Sequence, residues 1–100
     1  MMDALQVLAE PRRRRILALV RDQERAAGDI AAHFDVTFGA VSQHLSVLKD
    51  AGFVSVRKDG NRRLYRLDEE GLGQWKPILE TMWSELLDDL AKTVEDDNNE

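Results

Sequence analysis

The sequence predicts a mostly α-helical fold with one β-hairpin: four helices, the hairpin, and one long last helix. Three observations carry this prediction. Apolar residues recur at helical spacing in separate segments of the first 50 residues. Two runs with strand character, 53–56 and 64–67, flank the turn-forming pair Asp59-Gly60. The 100 residues suffice for one core, and we expect a single domain at 1–94 and a disordered acidic tail at 95–100.

The first two helices are predicted to be short. Residues 2–9 carry apolar side chains at helical spacing, but a helix of this length needs a packing partner. Pro11 suits the first turn of the second helix, where its missing N–H costs nothing. The buried side of the second helix is predicted to consist of Ile16, Leu17 and Val20.

Four consecutive arginines, Arg12 to Arg15, lie in the second predicted helix. Two interpretations stay open for them: a phosphate-binding patch, or a solvated helix face with ion pairs of its own. The segment from Arg21 to Arg25 is polar or charged throughout, and it is predicted to be an exposed turn.

Helices three and four are predicted at 27–34 and from Thr37 to Asp50, with a short connection between them. Thr37 supplies a side-chain oxygen that can cap the fourth helix, and Gly52 supplies the backbone freedom that ends it. Two helices joined so closely are typical of a helix-turn-helix unit.

The hairpin and the last helix complete the predicted order. The loop around Asp59-Gly60 can be longer than two residues. The last helix is predicted to begin at Glu69 or Glu70 behind Asp68 and to run for about two dozen residues. Pro77 then lies in its interior and either kinks the helix or moves its true start later. This order of elements predicts a winged helix-turn-helix fold, mostly α with a small β-hairpin wing.

The net charge of −5 is unevenly distributed along the chain. Residues 85–100 contain seven acids and one base, which leaves a net charge of +1 on the first 84 residues. The segment from Arg57 to Arg66 holds five bases against Asp59 alone. Because salt screens charges beyond about 10 Å, a phosphate backbone responds to this local basic density more than to the total charge.

Composition argues against several other classes of function. The chain has no cysteine, which excludes disulfides and thiolate metal sites. Its two histidines, His33 and His44, lie on different predicted helices, which disfavours a metal cage or a catalytic triad. We therefore expect neither an enzyme nor a bound cofactor. No signal-peptide pattern and no apolar run of membrane-spanning length occur, so a cytoplasmic protein without membrane contact is expected.

Two segments are predicted to bind double-stranded DNA. The second helix of a helix-turn-helix unit enters the major groove, where glutamine and serine can hydrogen-bond to base edges. The predicted contacts on this helix are Thr37, Phe38, Gly39, Ser42, Gln43, His44 and Ser46. The hairpin supplies bases that can follow phosphates or reach into a minor groove. These bases are Arg57, Lys58, Arg62 and Arg63.

Two alternatives stay open from the residues alone. For His44, a phosphate contact, a proton-linked switch near pH 6.5 and a packing role are all compatible with its position. For the whole protein, the alternative is a winged-helix module that binds another protein without specific DNA binding. The basic hairpin and the polar outer face of the fourth helix favour DNA, and the net acidity favours the interaction module.

Three segments resemble the ArsR family of winged-helix repressors. They are LAEPRRRRIL at 8–17, VSQHLSVLKDAGFV at 41–54 and RRLYRL at 62–67, and the match covers roughly residues 4–94. The resemblance implies a homodimer formed by the first and last helices on a pseudo-palindromic operator. It also implies repression of the protein's own or a neighbouring operon, relieved by an effector. The interface residues that follow are Leu5, Leu8, Leu72, Trp75, Leu79, Met82, Trp83, Leu86 and Leu90.

The sequence departs from the metal-sensing pattern of that family. Many members bind metals through cysteines in the third helix, and others through histidines of the last helix. This chain has no cysteine, and no histidine follows His44. The resemblance is therefore to a metal-independent branch, and the effector is unknown. Trp75, Met82 and Trp83 are interpreted as dimer core, with an effector pocket as the alternative.

Overall fold

Within residues 2–84, which a computed structural model describes, the chain forms six helices and three short strands. The helices are α1 (Ala4–Ala9), α2 (Pro11–Leu19), α3 (Ala27–Ala31), α4 (Phe38–Asp50), α5 (Glu69–Leu72) and α6 (75–84). The strands are β1 (Arg25–Ala26), β2 (Val54–Asp59) and β3 (Arg62–Leu67). Leu86, Leu90 and the predicted tail lie outside the described residues. The predicted winged helix-turn-helix fold is confirmed.

Helix α1 begins at Ala4, two residues later than predicted. Asp3 Oδ1 accepts a hydrogen bond from the Gln6 N–H at 2.8 Å, and Gln6 Oε1 accepts one from the Asp3 N–H at 3.1 Å. This reciprocal capping box satisfies two backbone donors and fixes the start of the helix.

The arginines of α2 bind the end of α1. Arg13 donates from Nε to the Val7 carbonyl at 2.8 Å and from Nη2 to the Gln6 carbonyl at 3.2 Å. Arg14 donates from Nη1 to the Leu8 carbonyl at 2.7 Å. These carbonyls belong to the last turn of α1, where the helix itself supplies no donors. Both interpretations of the arginine run are therefore wrong for Arg13 and Arg14, because their guanidinium groups cap a neighbouring helix.

Strand β1 is a feature that the sequence does not predict. Arg25 pairs with Tyr65 and Ala26 with Leu64, so the sheet has the order β1-β3-β2. Arg25 also donates from Nε to the Leu19 carbonyl at 2.6 Å, at the end of α2. The predicted exposed turn is wrong at Arg25, because a two-residue strand has no periodicity of its own and forms only when β3 lies beside it.

Helix α3 ends at Ala31, three residues earlier than predicted. Phe34 nevertheless remains half-buried against the core, and the guanidinium of Arg15 lies 5.1 Å from the centre of its ring. This cation–π contact joins α2 to the connection that precedes α4.

Helix α4 begins and ends as predicted. Thr37 Oγ1 accepts a hydrogen bond from the Ala40 N–H at 3.1 Å. At the other end Gly52 has a φ of +82°, and the Phe53 N–H bonds to the Leu48 carbonyl at 3.0 Å. This Schellman arrangement returns the chain sharply into β2, with Phe53 and Leu48 both in the core.

The hairpin turn is tighter than the longer loop that the sequence allowed. Asp59 pairs with Arg62, which leaves Gly60 and Asn61 as a two-residue turn. Gly60 has a φ of +64°, and Asn61 has no positive φ. A glycine at the first central position is typical of a type II′ turn, whose twist matches that of the two strands.

The single long last helix of the sequence prediction is wrong within the described residues. Asp68 Oδ1 accepts from the Gly71 N–H at 2.9 Å and begins α5, but Gly73, with a φ of +53°, ends this helix after Leu72. Helix α6 starts at 75, so Pro77 lies in its first turn, where no intrahelical donor is lost. The break therefore occurs at Gly73, and the alternative of a later start is correct.

One core joins these elements. The predicted buried side of α2 is confirmed, since Ile16, Leu17 and Val20 are all at most 1% exposed. Helix α4 contributes its apolar stripe, and α5 and α6 contribute Leu72 and Leu79. Among residues 2–84, no helix is both long and apolar enough to cross a membrane.

Candidate nucleic-acid interface

Helix α4 has one buried side and one exposed polar side. Val41, Leu45 and Leu48 are buried in the core. These three residues form the buried side of the helix. The residues on its opposite side, which recur every three or four positions, therefore face solvent. Within the helix itself, five predicted contacts are exposed: Phe38, Gly39, Ser42, Gln43 and Ser46. All five are available to a ligand that approaches this side.

The start of α4 contains three predicted contacts with different properties. Phe38 is 57% exposed, which is unusual for a phenylalanine. Gly39 has open space around it, since a Cβ built there meets only Thr37 Oγ1 at 3.9 Å. The Thr37 hydroxyl oxygen is occupied as the cap, but its hydrogen can still be donated to a phosphate.

His44, a residue of α4, is half-buried near Glu10, Arg12 and Arg13 at the start of α2. Burial lowers its pKa below the ordinary value, while the carboxylate of Glu10 acts in the opposite direction. The side chain is therefore neutral at neutral pH, with one ring nitrogen that donates a hydrogen bond and one that accepts. This direction argues against a proton-linked switch near pH 6.5, because the imidazole would gain its proton only in more acidic solution.

The wing, defined here as β2, β3 and the turn between them, presents all four predicted bases to solvent. Arg57 donates from Nε and Nη2 to the Glu24 carboxylate at 2.8 and 2.7 Å. Arg62 contacts Asp29 at 3.4 Å. The hydrogen bonds from Arg57 lower the pKa of Glu24, and Glu24 in turn raises the pKa of Arg57. Sequence reasoning did not find these pairs, since their partners lie 33 positions apart.

The residues predicted for a dimer interface divide into two groups. Leu8, Leu72, Leu79 and Trp83 are at most 7% exposed in the single chain, so they belong to its own core and leave little surface for a partner. Leu5 is 66% exposed and Met82 is 38% exposed, and Trp75 is half-buried. Ile78, which the predicted set lacks, is 47% exposed. Its spacing of four from Met82 is the signal that could have found it.

The three residues considered for an effector pocket lie in different surroundings within residues 2–84. Trp75 lines an open groove of about 800 Å³ together with Met2, Val47 and Phe53. Trp83 is buried, and the guanidinium of Arg21 lies 5.4 Å from its ring centre. Met82 points to solvent on α6. Within residues 2–84, no group of three potential His, Cys, Asp or Glu ligands that could hold a metal ion occurs.

This chain is similar to bacterial regulators of transcription. Residues 10–56 match the family model described as bacterial regulatory protein, arsR family. The HTH-type transcriptional regulator Rv2034 of Mycobacterium tuberculosis is 36% identical over 97 residues, which cover 97% of this chain and 91% of that protein.

Solved structures agree with the fold. A crystal structure of a possible transcriptional regulator for arsenical resistance is 44% identical, with a TM-score of 0.72, over 93% of this chain and 97% of that chain. The homodimeric winged helix-turn-helix DNA-binding domain of Mb0332 from Mycobacterium bovis, solved by NMR, is 31% identical, with a TM-score of 0.68. That match covers 80% of this chain and 74% of the other. These relatives are described as regulators of transcription and not as enzymes.

Proposed function

Because the chain belongs to the arsR family of bacterial regulatory proteins, we propose that this transcriptional regulator is a homodimeric repressor that binds a pseudo-palindromic operator. The observation that carries the proposal is the exposed polar side of α4, with Ser42, Gln43 and Ser46, in the same fold as a wing whose four predicted bases are exposed. Two such helices, related by the two-fold axis of a dimer, would enter successive major grooves about one helical turn apart. Such a protein acts where the chromosome is, in the cytoplasm.

The proposed dimer uses α1 and α6. Exposed apolar side chains on these helices, among them Leu5, Ile78 and Met82, are costly in water and gain from a second copy. The homodimeric state of the Mb0332 domain supports this arrangement. We further propose that the trigger for release from DNA is not a metal ion. Support comes from the absence of cysteine and of any histidine after His44 in this sequence.

A gel-shift titration against the DNA upstream of the protein's own gene tests the DNA proposal. We expect a sequence-selective complex whose affinity falls steeply between low and high salt, because bound bases release counterions from the phosphates. The alternative, a protein-interaction module, predicts no selective and salt-dependent complex. A reporter placed behind the same DNA gives the sign of regulation, and expression is expected to rise when the regulator is removed.

Gln43→Ala is expected to cost about 1–3 kcal/mol on the operator, with little change on random DNA. Gln43 can form a bidentate pair with adenine, and that pair carries sequence information. Titrations of both duplexes by fluorescence anisotropy measure the two affinities. Gln74→Ala, which removes an exposed glutamine from the turn before α6, is the matched control and leaves both unchanged. An equal loss on both duplexes for Gln43→Ala contradicts a base-reading role.

Gly39→Ala separates stability from binding. The added methyl would not collide with any atom of the protein, since only Thr37 Oγ1 lies within 4 Å of it. Alanine also favours a helix by about 0.5–1 kcal/mol over glycine, so the melting temperature should rise or stay constant. DNA affinity should nevertheless fall, because the methyl stands where the helix backbone approaches the groove. Thermal unfolding and anisotropy on the same preparation give the two results. An unchanged affinity would show that this end of α4 keeps its distance from DNA.

A further inference from the structure

The four predicted bases of the wing lie on two faces of the hairpin. In an antiparallel pair, directly opposite residues share a face and successive residues alternate between faces. Lys58 lies opposite Arg63, so these two side chains share one face. Arg57 and Arg62 lie on the other face.

The bases on one face already have acidic partners. The guanidinium of Arg57 forms two short hydrogen bonds with both oxygens of Glu24, the geometry of a strong arginine–carboxylate pair. Arg62 reaches Asp29 at 3.4 Å and stands opposite Asp59 in the ladder. These contacts connect the wing to the residue before β1 and to α3. A phosphate that approached this face would have to displace a carboxylate or be repelled by it.

The two bases on the other face lie directly opposite each other in the ladder. Lys58 and Arg63 are exposed, and within residues 2–84 neither forms an ion pair with a carboxylate. Like charges directly opposite in a ladder are destabilising, so this pair weakens the hairpin in the absence of an anion. A phosphate bound at each of the two cations would offset the repulsion and gain a charge-assisted contact with that cation.

We propose that Lys58 and Arg63 are the phosphate-binding bases of the wing. Arg57 and Arg62 are held in ion pairs by Glu24 and Asp29, and these two arginines take no part in phosphate binding. This assignment rests on the proposed DNA-binding function and divides the predicted contacts of the wing. Glu24 and Asp29 are positioning residues in this scheme. They limit the number of phosphates that the wing can neutralise.

The dependence of DNA affinity on salt concentration tests the assignment, because its slope counts neutralised phosphates at about 0.9 each. The protein is titrated with a duplex of random sequence, long enough to contact both wings of the proposed dimer, at a series of KCl concentrations. We expect Lys58→Ala and Arg63→Ala each to lower the slope by about 1 for each wing bound. Arg57→Ala is expected to leave the slope unchanged.

The converse variant makes the sharpest distinction. Glu24→Gln releases Arg57 from its carboxylate, so we expect a slope that is higher by about 1 for each wing, and tighter binding at low salt. Asp22→Asn is the matched control. It makes the same change in net charge beside an arginine outside the wing, Arg21, and should leave the slope unchanged. Equal effects of Glu24→Gln and Asp22→Asn would overturn the assignment.

Thermal unfolding without DNA provides a readout that is independent of binding. Arg57→Ala loses the ion pair with Glu24 and should lower the melting temperature by up to a few degrees. Lys58→Ala removes a repulsion and should leave the melting temperature unchanged or raise it.

An equal fall in the salt slope for Arg57→Ala and Arg63→Ala would overturn the assignment while DNA binding itself stands. Failure of the unaltered protein to bind any duplex would overturn the proposed function, and the assignment with it.

Discussion

Ile78→Arg is expected to convert the proposed dimer into monomers and to weaken operator binding by about 10²–10⁴-fold. Ile78 and Met82 are exposed and lie one turn apart on α6, so they form an apolar stripe that no other part of residues 2–84 covers. A guanidinium in the centre of a dimer interface would be buried without a counter-charge. A monomer also loses the advantage of two recognition helices bound together. Sedimentation analysis and an operator titration measure the two effects.

A charge control and a second interface variant complete this experiment. Ser84→Arg adds the same charge at an exposed polar position on another side of α6, and it should remain dimeric and bind normally. Leu79→Arg is unsuitable, because Leu79 is fully buried and an arginine there would unfold the chain itself. An intact dimer for folded Ile78→Arg would place the interface elsewhere, and Leu5→Arg on α1 would then be the next variant to examine.

Gly71→Ala is expected to destabilise the fold by about 1–3 kcal/mol or more. A Cβ at Gly71 would collide with the backbone carbonyl oxygen of Gly52 and lie 2.7 Å from its carbonyl carbon, and neither atom belongs to a side chain that could turn aside. This close approach joins α5 to the turn that ends α4. The residue therefore helps to set the orientation of the last helices relative to the proposed recognition helix.

Chemical denaturation of the variant and of a control measures this cost. Gly28→Ala is the matched control, since a Cβ there meets nothing within 4 Å and α3 should tolerate or favour alanine. If Gly71→Ala unfolds at the same denaturant concentration as the unaltered protein, the close approach of α5 to α4 is not a constraint on stability. An unchanged or higher denaturation midpoint for Gly28→Ala would show that a loss at Gly71 comes from the collision and not from alanine itself.

Local signals explain which parts of the fold could be predicted. Thr37 caps α4 and Gly52 ends it because the chemistry of each residue acts within a few positions of the chain. The apolar stripe of α4 identifies its exposed side without any knowledge of the partner elements. The basic run of the hairpin is visible for the same reason, because the bases are close together in the sequence.

The sequence by itself therefore determined the fold class, the ends of α4, the family and the two segments proposed to contact DNA. Only the tertiary structure decided what individual side chains do within that frame. Arg13 and Arg14 cap α1, and Arg57 pairs with Glu24, through contacts whose partners no local pattern reveals. Leu79 proved to be core because burial depends on every element packed around a residue. Periodicity reports which side of a helix is apolar, but it does not report whether the same chain or a second copy covers that side.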